Sequence, residues 1–199
     1  MRKSSSAEQL TCLFQEYLKL SAVLRPGYIA GLGGGEEAEA SAAISGIVPD
    51  APELLQVIYS RVSGTGSDEE EPSLIEFIPG YRLIHIREYE QEIKVLRSIL
   101  EAKGYSGGGT VLPVLTNCGS DFICYFQSED GTERICDLLH AYGDLAVMYN
   151  SPEKFLETLC EFYRQEVYFL DEEGYLDCDL VLEGEVGASL NPEAEYWSE

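Results

Sequence analysis

Thirty residues, Thr110 to Leu139, constrain this chain more than any other stretch: TVLPVLTNCGSDFICYFQSEDGTERICDLL. Three short apolar runs, Val111–Leu115, Phe122–Phe126 and Arg134–Leu138, are separated by two polar breaks. The second break carries Asp130-Gly131, and an Asp-Gly pair between β-prone runs is a strong hairpin signal because both residues tolerate positive φ. The stretch is therefore read as the central antiparallel strands of one sheet. It carries no recognisable catalytic machinery.

The flanks supply helices. Ser6 with Gln9 has the form of a capping box, and Leu10, Leu13, Phe14, Tyr17, Leu18 and Leu24 follow at helical spacing up to Pro26-Gly27. Gly31 to Gly35 and the Glu/Ala segment after it read as a loop or linker. Asp50 is a candidate N-cap for a helix carrying Leu54, Leu55, Ile58 and Val62 on one face and ending at Ser63-Gly64. An acidic loop spans residues 64–73, and Leu74–Pro79 and Tyr81–Ile86 read as two strands turning at Pro79-Gly80. A surface helix follows from Glu88 to Gly104. Ser151 caps a last clear helix with Pro152 at its first position, Val167–Leu170 reads as a short strand or extension, and Trp197 is placed to dock back on the body. Because strands and helices do not alternate regularly, a doubly wound sheet is excluded. The expectation is an α+β fold, with a mostly antiparallel sheet carrying helices on one face and a helical N-terminal extension. Residues 1–43 form that extension and linker, and residues 44–199 form the α+β domain with an acidic tail.

Charge narrows the choice of partners. The chain has 199 residues, with 13 Lys+Arg against 36 Asp+Glu, a net charge of −23. Such a field repels nucleic acid and anionic membrane and attracts basic partners or cations. No Lys or Arg follows Arg164, and residues 165–199 hold eleven carboxylates. Six cysteines occur without a leader-like apolar segment, and most lie among apolar residues, so a reduced, cytoplasmic protein is expected.

The usual catalytic and cofactor motifs are missing. Gly31, Gly33 and Gly35 do not complete GxGxxG, because position 36 is Glu, and no P-loop follows either glycine run. There is no CxxC or HExxH, and only two histidines occur, His85 and His140. The segment Asp171–Asp177 has the look of a calcium loop, but aligning Gly174 with its sixth position puts Phe169 first and Leu180 twelfth, where carboxylates are required. Cys118 paired with His140 is the one candidate nucleophile and base. Asp121 and Asp130 are read as turn residues. No cofactor or metal is expected.

The order Ile47-Val48-Pro49, the helix to Gly64, FIPGYRLIHI, LPVLTNCGSDFICYF, RICDL and SPEKFLETL resembles the SUKH superfamily. More narrowly, it is similar to the bacterial relatives of the yeast cell-wall assembly regulator. The likeness covers roughly residues 44–165. Its most specific part is Gly119-Ser120-Asp121-Phe122, the family's Gly-Asp-aromatic motif with an inserted serine, and the family's Asn-Gly after the first helix is Ser63-Gly64 here. The resemblance implies a non-enzymatic α+β scaffold. In bacteria it implies an immunity protein that neutralises a cognate toxin, frequently a nuclease, by protein–protein binding. A basic, phosphate-binding toxin suits an acidic inhibitor. The expected partner-binding residues are Asp68, Glu69, Glu70 and Glu71, with Asp171, Glu172 and Glu173. A non-enzymatic regulatory adaptor is the alternative, and a small enzyme built on Cys118 and His140 a lesser one.

Overall fold

The computed structural model describes residues 6–34, 37–105, 107–141 and 144–198. Gly35 and Glu36 of the glycine-rich run, Glu199 of the acidic stretch, and the first five residues of the chain lie outside them.

The helices are α1 (Ser6–Leu24), α2 (Tyr28–Gly31), α3 (Glu37–Ile47), α4 (Glu53–Tyr59), α5 (Pro72–Ile75), α6 (Tyr89–Ala102), α7 (Pro152–Arg164) and α8 (Leu180–Leu190). The strands are β1 (Arg82–Leu83), β2 (Thr110–Thr116), β3 (Phe122–Gln127), β4 (Glu133–Leu138), β5 (Leu145–Tyr149), β6 (Tyr168–Leu170) and β7 (Leu176–Cys178). Strands β1 to β5 form an antiparallel meander in sequence order, and β6 and β7 form a separate hairpin. The fold is α+β, with a helical N-terminal segment.

The three central runs are β2, β3 and β4. The Asp130-Gly131 turn forms as the residue types dictate. Gly131 takes φ 85°, Asp130 Oδ1 accepts the Thr132 N–H at 2.9 Å, and the Ser128 N–H bonds the Thr132 carbonyl at 3.0 Å. The first break is tied by Asn117, whose Oδ1 accepts the N–H groups of Gly119 and Asp121 at 2.8 and 2.9 Å. Asp121 also accepts the His140 N–H at 2.7 Å, joining this turn to the end of β4. Asp121 and Asp130 thus do turn work, as their residue type indicates.

Helix α1 packs along α7, and the Cys160 thiol reaches the Leu13 carbonyl at 3.6 Å. Leu10, Phe14, Tyr17 and Leu18 of α1 belong to the same core as Leu83, Val114, Ile123, Phe155 and Leu159. Arg25, fully buried, fastens the end of α1. Its guanidinium lies 3.6 Å over the Tyr28 ring, donates to the Tyr163 hydroxyl at 2.6 Å and donates to the Glu76 carbonyl at 2.5 Å.

Several local expectations are revised. The Ser6 hydroxyl donates to Glu153 on α7 at 2.5 Å. The stretch read as linker contains α2 and α3, with Tyr28, Leu32, Ala40 and Ile44 buried. Its alanines favour helix once two apolar residues one turn apart find the core. Helix α4 starts after Pro52 rather than at Asp50, because proline sets the φ of a helix entry and Asp50 lies a turn too early. Residues Pro72–Ile75 form a helical turn across the end of the expected acidic loop and the start of the expected strand Leu74–Pro79, since Pro72 is well suited to a first helical turn. Helix α7 begins as read, with Ser151 Oγ accepting the Lys154 N–H at 3.2 Å. The acidic stretch from Tyr168 onward is folded as the β6–β7 hairpin, α8 and a 3-10 turn at Glu195–Ser198. Trp197 does dock, donating its indole N–H to the Met148 carbonyl of β5 at 2.7 Å.

Candidate functional site

The register of the meander fixes the floor of the site. Asp137 on β4 faces Ile123 on β3 and Ala146 on β5, and strand alternation puts it on the same side as Ile135. That side is buried, so a carboxylate sits where an apolar residue is the default. Asp137 is only 7% exposed, and its Oδ1 has no hydrogen-bond partner among the described residues. Burial pushes the carboxyl up to about 6, Asp121 adds to the shift, and the Tyr81 hydroxyl beside it pulls the other way.

Around Asp137 is a cavity of about 240 Å³. It is lined from β3, β4, β5 and the Pro79 turn, and from the β6–β7 hairpin, α8 and Tyr196. The lining residues that carry polar groups are Asp137, Asp177, Cys178 and Glu183, with Tyr81, Tyr149, Tyr168 and Tyr196. No basic side chain is among the described residues lining it.

Helix α8 brings Glu183 in because Asp179 caps it, accepting the N–H groups of Val181 and Leu182 at 3.0 Å each. Burial raises the Glu183 carboxyl, which also accepts the Cys178 thiol at 3.5 Å. Burial and then Glu183 push that thiol up to about 12, so it stays protonated and is a poor nucleophile. The Tyr196 hydroxyl is likewise pushed up to about 12, first by burial, then by Asp137 and Glu183. These groups therefore share one electrostatic neighbourhood that penalises each added negative charge. Chemically, the cavity offers acceptor oxygens and tyrosine rings to a positively charged donor.

None of the expected partner-binding residues lines this cavity, but three of them belong to the hairpin that does. The turn of the β6–β7 hairpin holds Asp171, Glu172 and Glu173, while Asp177 on its second strand lines the cavity. A Cβ on Gly174 at the hairpin tip would lie 3.9 Å from the Pro72 side chain, so the hairpin meets the loop that carries Asp68 to Glu71. Asp171 and Asp177 both raise the Glu76 carboxyl just beyond that loop, after the larger effect of burial. The two acidic loops, far apart in sequence, are neighbours. Their members differ in duty. Asp171 Oδ1 accepts the N–H groups of Glu173 and Tyr175 at 2.9 and 2.8 Å and builds the turn. Asp68 and Glu69 face a glycine-lined depression with His85 and Arg87, and Glu69 Oε1 accepts the Glu71 N–H at 3.0 Å. Glu70, Glu71, Glu172 and Glu173 point to solvent.

Exposed apolar side chains stud the same region. Leu180 and Val181 at the start of α8 are 76% and 74% exposed, and Phe169, Tyr175 and Tyr196 are also open. The Cys118–His140 pair is not assembled into a shared site. His140 borders a depression with Ser120 and residues of α6, and Cys118 does not line it. All six cysteines are free thiols. Among the described residues, no group of three or more His, Cys, Asp or Glu side chains is placed to hold a metal ion, and no helix is long and apolar enough to cross a membrane.

Asp137 and Glu183 were missed in the sequence. The signal for Asp137 was a lone acid inside a β-prone run. For Glu183 it was an Asp N-cap directly before an apolar stretch. No protein-family model matches the chain, and a search of curated proteins returns no match.

Proposed function

We propose that this protein binds and neutralises a basic protein toxin, acting as an immunity protein through the face built by residues 168–197 and the neighbouring acidic loop 68–71. One observation carries the reading: on this carboxylate-rich face, Phe169, Tyr175, Leu180, Val181 and Tyr196 are left exposed. Apolar anchors ringed by charge are the composition of a protein interface, with the anchors giving affinity and the acids giving speed and choice of partner. The toxin assignment comes from the likeness to the SUKH superfamily. The net charge of −23 suits a cationic partner, above all one whose own cleft binds phosphate. Six free thiols suit a reducing, cytoplasmic setting.

The test is to look for a toxin-like gene beside the one that encodes this chain and to co-express its product with the protein. The expected result is a co-purifying complex and rescue of growth. Charge reversal at Glu172 and Glu173, or at Glu70 and Glu71, slows association and flattens its salt dependence while the fold persists. A neighbouring toxin-like protein that is neither bound nor neutralised removes the toxin assignment. Specific capture of a cellular housekeeping protein in its place assigns the same face to a regulatory adaptor.

A further inference from the structure

The cavity at Asp137 has features that a scaffold does not need. A carboxylate oxygen is buried without a partner, and such a group destabilises the fold unless something else uses it. A second carboxylate, Glu183, lines the same cavity from α8, and Asp177 lines it from β7. Tyr81, Tyr149, Tyr168 and Tyr196 supply aromatic surface, and the remaining walls, including Ile123 and Met148, are apolar. The volume of about 240 Å³ equals the liquid volume of about eight waters, room for one long side chain. The rim is reachable from solvent, because Leu180 and Tyr196 stand exposed there.

We propose that this cavity receives the guanidinium of an arginine side chain from the protein partner. Lining carboxylates, tyrosine rings and apolar sides match a flat, weakly hydrated, fivefold donor. Such a group stacks on aromatic faces and donates to more than one carboxylate oxygen at once. A lysine ammonium is more strongly hydrated and gains less from the apolar walls. The exposed Leu180 and Val181 then pack beside the arginine stem, as apolar neighbours of a buried anchor do. This deepens the toxin-binding reading by naming the anchor, and it rests on that reading for the identity of the partner.

The experiment needs no toxin. Acetyl-Gly-Arg-Gly-amide is titrated into the full-length protein at pH 7.5 and followed by the NMR signals of Ile123 and Met148 methyls and the Tyr81 and Tyr196 rings. The citrulline and lysine versions run in parallel. The expected result is saturable shifts at those four residues with the arginine peptide, at least tenfold weaker binding of the lysine peptide, and none with the citrulline peptide. Asp137→Asn and Glu183→Gln, each neutral and of unchanged shape, lower the arginine affinity at least tenfold while the remaining spectrum stays native. No shifts at these residues, equal binding of citrulline, lysine binding as tight as arginine, or full binding by Asp137→Asn each overturns the proposal. Because the probe is a peptide, failure here leaves toxin neutralisation by the outer acidic face standing. Failure to bind a toxin leaves a positive titration standing.

Discussion

Asp137→Asn raises the stability of this protein, and does so more at neutral than at acid pH. The reason is the position of its carboxyl. It titrates at about 6 in the folded protein and at about 3.8 as an ordinary aspartate. Between those values the folded state holds more protons than the unfolded chain, so stability falls as pH rises. The ionised form therefore costs the folded state about 3 kcal/mol at pH 7.5, from a difference of about two pH units at about 1.36 kcal/mol each. At pH 5 only about half of that cost, about 1.6 kcal/mol, has developed. Asparagine stays neutral throughout and keeps an oxygen that accepts from Tyr81. Any pH-independent cost of its extra N–H₂ cancels when the two pH values are compared. The assay is urea denaturation of both proteins at pH 7.5 and pH 5.0, the latter above the isoelectric point of about 4.2, followed by the emission of Trp197, the sole tryptophan. The gain from the substitution is expected to be about 1.4 kcal/mol larger at pH 7.5 than at pH 5.0. An effect of equal size at both pH values, or a larger gain at pH 5.0, refutes the claim that burial raises the Asp137 carboxyl.

Three further outcomes are expected. Gly187→Ala would set a Cβ 2.3 Å from the Trp197 ring, so the indole is displaced. The expected result is a loss of roughly 1–3 kcal/mol and a red-shifted Trp197 emission, and unchanged fluorescence would show that α8 moves aside freely. Arg25→Lys keeps the charge but loses the planar fork over Tyr28 and the paired donation to Glu76 and Tyr163, costing about 2–3 kcal/mol in urea denaturation; a change below about 0.5 kcal/mol would place that buried charge outside the core's stabilising contacts. Asn117→Ala leaves the N–H groups of Gly119 and Asp121 without their shared acceptor and costs about 1–3 kcal/mol. Its hydrogen exchange rises at Gly119 and at Asp121, and exchange confined to wild-type rates there would contradict the role given to Asn117.

The sheet's centre was legible because short apolar β-prone runs and an Asp-Gly turn are local signals, and β2, β3 and β4 follow them closely. Strand β5 was not, since Leu145–Tyr149 is short and follows no turn signal as strong as Asp-Gly. Its identity comes from pairing with β4 and from the Trp197 indole capping the Met148 carbonyl. Helix α8 escaped for a different reason. LVLEGEVGASL has two glycines and no amphipathic stripe, and only Val186 and Gly187 are buried. Its placement is set by Asp179 at one end and by Trp197 lying against Gly187. Of the site, the acidic loops were readable as charge. That they meet at Gly174 and Pro72, and that Asp137 sits on the buried side of β4, are consequences of tertiary pairing that no local pattern encodes.

The packing of α1 on α7 also sets an order of assembly. Its links join residues 147 and 148 positions apart, from Leu13 to Cys160 and from Glu16 to Arg164. Closing so large a loop is entropically costly and is rewarded only when the intervening meander has already brought the ends near each other. On the ribosome, α1 emerges well before α7, so Tyr17 lacks its Tyr163 neighbour until α7 has been made. Tyr163 and Cys160 of α7 in turn lose the Tyr17 ring and the Leu13 carbonyl unless α1 is in place. A chain lacking α1 would retain its hairpins yet show this apolar surface, so the first helix acts as the closing piece of the core and protects the intermediate from association.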